Sequence, residues 1–184
     1  MVTKIAACIS IATLLVGCTH GVSSRHADVR VVRPATDADR AALIDRIKSL
    51  AGDWEIVDSD GKGSGRTVFA VTSAGSSVRE IMFAGDAHEM TNVYHMDGDS
   101  LLLTHYCAMG NQPRMRGRAP RSPADPVVFE FDSVTNLAKA SDHYMGRMKL
   151  TIKDADHITQ EWYSFEKGKT LKDRALFSLR RKKS

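Results

Sequence analysis

No stretch of this sequence spells out a reaction. A nucleophile elbow, a phosphate-cradling loop and a diagnostic carboxylate pair are all missing, and neither a Cys-x-x-Cys nor a His-Glu-x-x-His spacing is present to hold a metal. Charge of one sign is also lacking. Lys and Arg number 26 against 22 Asp and Glu, a net of +4, too small an excess for a dedicated nucleic-acid binder, which needs a concentrated basic face with interleaved aromatics. Proline is scarce, with five residues, and four of them fall between Ala108 and Pro126. No repeat with the period of a solenoid or propeller is visible. What remains is ordinary globular composition, 42% hydrophobic and 26% charged, in 184 residues, the length of one domain.

The N-terminus gives an address. Met1 to Gly17 carries one cation, Lys4, then an apolar run from Ile5 to Val16, which stops short of the roughly 20 residues a transmembrane helix needs and fits a signal-peptide core. Leu15-Val16-Gly17-Cys18 resembles the bacterial lipobox, which implies a signal peptide over residues 1–17 and a lipid on Cys18. The bilayer, reached through the acylated cysteine, is then a partner, and the cell envelope is the expected location. Thr19 after the cysteine resembles the pattern of lipoproteins forwarded to the outer membrane, facing the periplasm, in a diderm host. Residues 18–35 are polar and without periodicity, as expected of a flexible tether. With Cys8 in the leader and Cys18 acylated, Cys107 is the one thiol of the domain and no disulfide is available to it.

The domain is expected over residues 36–184. Thr36 followed by Asp39 forms a capping-box start, and Ala41, Leu43, Ile44, Ile47 and Leu50 recur at helical spacing up to Gly52, predicting one amphipathic N-terminal helix. Nearly everything after it reads as strands divided by turn residues: 54–57, 67–72, 78–84, 88–96, 101–107, 127–132, 147–153, 158–165 and 170–180. This gives a mainly β fold, an up-and-down antiparallel β-barrel of about eight or nine strands, with a β-sandwich as the alternative. Val127, Phe129 and Phe131 share one face, as do Met148, Leu150 and Ile152. Gly52-Asp53-Trp54 at the first strand resembles the Gly-x-Trp signature of lipocalins and related calycin barrels. The resemblance implies an arginine of the last strand packed on Trp54, with Arg180 as its counterpart. Here the helix precedes the barrel, unlike the main helix of typical lipocalins.

The stretch from Leu101 to Arg114 concentrates the chemistry. Asp97-Gly98 is the strongest hairpin signal, and as a two-residue loop it pairs Met96 with Asp99. One face then holds His88, Met90, Asn92, Tyr94, Leu101, Leu103, His105 and Cys107, the better candidate for a barrel interior; a three-residue loop would instead group Tyr94 with Leu102 and Tyr106. Asn92, Tyr94 and His105 among apolar residues have the make-up of a small-molecule site. His88, His105 and Cys107, with His143 as a further candidate, are possible ligands of zinc, copper or haem iron, but their spacing matches no known ligand set, so no metal site and no catalytic residue are assigned and the cofactor is left open. The connection from Ala108 to Pro126 is longer than hairpin loops and carries Arg114, Arg116, Arg118 and Arg121. Asn111, Gln112 and Arg114 are the expected rim contacts, with Arg114 suited to an anionic group. The expected function is binding of a small apolar or anionic ligand inside the barrel. A structural envelope lipoprotein with a side-chain-filled barrel is the alternative, and a thiol- or metal-dependent enzyme a third.

Overall fold

A computed structural model describes residues 31–183, so the leader, Cys18 and all but the last few tether residues lie outside the described residues. Thr36 caps the first helix as its side chain predicts: its Oγ1 accepts from the Asp39 backbone N–H at 3.1 Å, and Asp39 Oδ2 accepts from the Thr36 N–H at 2.8 Å. The single helix expected here is two short ones, α1 (Asp37–Ala42) and α2 (Ile44–Lys48), because Leu43 leaves helical geometry at φ −124°, ψ −86°. The break lets Leu43, Ile44, Ile47 and Leu50 all turn into the core.

Ten strands follow: β1 (Gly52–Val57), β2 (Gly63–Thr72), β3 (Ser77–Met82), β4 (Met90–Asp97), β5 (Ser100–Tyr106), β6 (Gln112–Arg118), β7 (Val127–Thr135), β8 (Tyr144–Ile152), β9 (His157–Glu166) and β10 (Lys169–Arg181). Each pairs antiparallel with the next, and β10 closes on β1, making an up-and-down barrel. Nine of the strands coincide with the expected ones. The tenth, β6, lies inside the stretch read as a long loop. Residues 112–118 alternate, with Pro113, Met115 and Gly117 buried and Arg114, Arg116 and Arg118 on the outer side. Pro113 is tolerated there because the ladder to β5 has its last pair at Thr104 and Arg114, so its missing N–H falls beyond that ladder.

The β4–β5 hairpin turns on Gly98-Asp99, pairing Asp97 with Ser100, instead of on Asp97-Gly98. A shift of the register sum by two preserves which residues share a face, so Asn92, Tyr94, Leu103 and His105 still point inward together. His88 does not join them. It precedes β4, is exposed, and its backbone N–H donates to Asp86 Oδ1 at 2.8 Å.

The helical segment covers one end of the barrel, with α2 against β2, β3 and β4. Trp54 anchors that end. Its indole N–H donates to the Leu50 carbonyl at 2.8 Å, and a guanidinium lies 4.3 Å from its ring centre. That guanidinium belongs to Arg181. Arg180 points outward and pairs with Glu55 at 2.7 Å. Alternation explains the exchange: Leu179 is buried, so the next residue faces solvent and the one after returns to the barrel end. Arg181 also donates to the carbonyls of Ser49, Ala51 and Ala155 at 2.8–2.9 Å, tying the helix C-terminus to the barrel.

The opposite end is less regular. β7 and β8 pair only from Val127↔Leu150 to Glu130↔Arg147. Past that level β7 continues along β6 to Thr135, and β8 runs along β9 from Tyr144, so the two strands separate. Phe131, Tyr144 and Phe165 fill the gap, with ring centres 5.2–6.3 Å apart. Phe131 stays in register with Phe129, opposite Met115, but the parting of the strands leaves it 41% exposed.

Candidate functional site

The middle of the barrel holds a polar cluster built on alternate positions of four strands. Glu80 on β3 is fully buried between Val78 and Met82. Its Oε2 accepts from the Tyr94 hydroxyl at 2.6 Å and from Asn92 Nδ2 at 2.8 Å, and its Oε1 accepts from Gln160 Nε2 at 2.6 Å. Asn92 turns its other end to His105, whose Nδ1 lies 2.7 Å from Asn92 Oδ1. Since Asn92 Nδ2 serves Glu80, its Oδ1 is an acceptor, which places the imidazole proton on Nδ1. Trp162 closes the group: its indole N–H donates to Gln160 Oε1 at 3.2 Å, and its ring centre lies 4.9 Å from that of His105.

Electrostatically the cluster is one-sided. No Lys or Arg forms an ion pair with Glu80 among the described residues, and its donors are all neutral. Burial pushes the Glu80 carboxyl above the usual range, against the opposing pull of the hydrogen bonds from Tyr94, Asn92 and Gln160. Burial likewise lowers His105 to about 4, so the imidazole is neutral at pH 7. Burial and the neighbouring carboxyl raise the Tyr94 phenol well above its ordinary value. The shell around these groups is soft. Met82, Met115 and Met148 are buried, and Met90, Met96 and Met145 pack against the core.

Asn92, Tyr94 and His105 thus come together as one interior group. The rim residues divide. Asn111 is buried, its Nδ2 donates to the His143 carbonyl at 3.0 Å, and its Oδ1 has no partner among the described residues. Gln112 and Arg114 face outward. The Gln112 amide is held by the Gly110 carbonyl at 2.8 Å and by the Thr135 hydroxyl at 2.9 Å. Arg114 is exposed and lines a shallow outer cleft of about 280 Å³ with Thr104, Tyr106, Gln112, Ser133 and Thr135. Cys107 lies past the end of β5, half-buried, in a turn closed by its N–H to the Asn111 carbonyl at 3.1 Å. Among the described residues no group of three His, Cys, Asp or Glu side chains is placed to hold a metal ion.

No family model matches this chain, and no curated protein matches it. The site therefore rests on its own geometry. Glu80, Gln160 and Trp162 are its unforeseen members. The signal for them was present: Val78-x-Glu80-x-Met82 and Ile158-x-Gln160-x-Trp162 each place a polar residue between apolar ones at a spacing of two, which on a strand puts it on the buried face.

Proposed function

We propose that the chain is a membrane-anchored envelope lipoprotein whose calycin-like barrel binds a small, partly apolar ligand in its interior. The observation that carries this reading is a buried carboxyl without a counter-charge among the described residues, at the centre of a methionine-rich barrel. An uncompensated buried carboxyl destabilises a fold by several kcal/mol, and groups held at such a cost concentrate at binding and reaction sites. Methionine is flexible and polarisable, adapting its shape to what it packs on, which suits a lumen that must open around a guest. A ten-stranded barrel has a wider lumen than an eight-stranded one, whose interior side chains just fill it. The lipobox-like Leu15-Val16-Gly17-Cys18 supports the anchor, and the stacking of Arg181 on Trp54 after Gly52-Asp53 supports the calycin relation.

A second reading, a structural lipoprotein with a filled barrel, is favoured by the mutual satisfaction of Glu80, Asn92, Gln160 and His105. Native mass spectrometry of the protein extracted from its own membrane separates the two. A co-purifying small molecule supports the binding reading. A bare mass, with no uptake from a lipid extract of that membrane, supports the filled barrel.

A further inference from the structure

The interior cluster indicates what kind of ligand it takes. Its carboxyl group is the one ionisable acid in the group, and everything touching it donates. Oε2 accepts two hydrogen bonds and Oε1 accepts one, whereas a carboxylate accepts about four. One acceptor direction on Oε1 is therefore left by the described residues. Tyr94 and Gln160 both stand 2.6 Å from the carboxyl, at the short end of hydrogen-bond lengths. Tyr94 reaches the carboxyl through its hydroxyl and meets Phe129 edge-on at 5.9 Å, and Trp162 is joined to it through Gln160, with its ring 4.9 Å from that of His105.

We propose that the barrel interior is selective for an organic ammonium: a ligand whose apolar or aromatic body displaces the buried methionine side chains and whose N–H donates to Glu80 Oε1. This rests on the interior-binding reading above. A ligand carboxylate is disfavoured by the same geometry, because it would face Glu80 across a buried site without a cation between them. An alcohol of the same body keeps one donor but loses the charge.

The test uses full-length protein in lipid nanodiscs, titrated calorimetrically with 2-phenylethylammonium, 2-phenylethanol and phenylacetate, with empty discs as the blank. The ammonium is expected to bind at least about tenfold tighter than the alcohol, with no measurable binding of phenylacetate. In Glu80→Gln the ammonium is expected to fall to the affinity of the alcohol. Equal binding of alcohol and ammonium, or preference for phenylacetate, overturns the ammonium assignment and leaves interior binding standing. Absence of binding by all three, together with a bare native mass, overturns both. If Glu80→Gln does not fold, the selectivity of the unmodified protein decides alone.

Discussion

Glu80→Ala strands three buried donors at once, the Tyr94 hydroxyl and the amides of Asn92 and Gln160, and also opens a cavity. The expected loss is about 3 kcal/mol or more in urea unfolding, with Glu80→Gln costing less because the shape is kept. Two adjacent arginines make a sharper contrast. Arg181→Ala removes three hydrogen bonds to carbonyls and the stacking on Trp54, about 2–3 kcal/mol, whereas Arg180→Ala removes a half-exposed ion pair with Glu55 and is expected to cost under about 1 kcal/mol. Equal losses would contradict the placement of Arg181 over the tryptophan. His105 and Glu80 act oppositely in acid. His105 is held near 4 in the fold against 6.5 in the unfolded chain, so the unfolded chain takes up that proton first and stability drops as pH falls from 6.5 towards 4. Glu80 has the reverse sign: its raised folded value favours the fold below about 4.5 and that contribution is lost as pH rises through it. Replacing His105 with Gln should flatten the stability profile between pH 6.5 and 4, and an unchanged slope would show that the imidazole is not buried.

Among the elements, the weak point is the parting of β7 and β8. The backbone N–H groups that these strands would exchange beyond Glu130 and Arg147 lack a ladder there, so amides on the facing edges of Phe131–Thr135 and Tyr144–Gly146 should exchange hydrogen faster than those of the β9–β10 ladder. Uniform protection measured by NMR would mean the seam is closed. Gly146 belongs to this seam because a Cβ there would run into the Phe165 ring; Gly146→Ala is expected to lower stability by about 1–3 kcal/mol. Much of this architecture was legible in the residues. Strict alternation and turn signals located nine strands, and a barrel follows from a meander that must hide its edges. β6 was obscured because Pro113 and its arginines look like loop chemistry, although Pro113, Met115 and Gly117 alternate with Arg114, Arg116 and Arg118 as a strand requires. The inward face of β4 and β5 was readable, so Asn92, Tyr94 and His105 were found together. Their hub was not, because pairing β3 with β4, which sets Glu80 opposite Asn92, depends on a register that no short turn fixes. The division of Asn111 from Gln112 and Arg114 follows from β6 being a strand, and so was missed with it.

At the scale of the whole molecule two claims meet, an anchor at one terminus and an occupied lumen. If Cys18 carries the lipid, Cys18→Ala should shift the protein from the membrane pellet to the soluble fraction, and retention of the variant after a salt wash would contradict the anchor. The lumen is tested most directly through its methionines. Full-length protein labelled with 13C at the methionine methyl groups reports Met82, Met115, Met145 and Met148 from the interior and Met109, 62% exposed, as an outside control. On addition of 2-phenylethylammonium or of a lipid extract from the native membrane, interior binding predicts shifts in the interior methyl resonances with Met109 unmoved. Interior methyls that stay fixed while Met109 alone responds would contradict a ligand in the barrel.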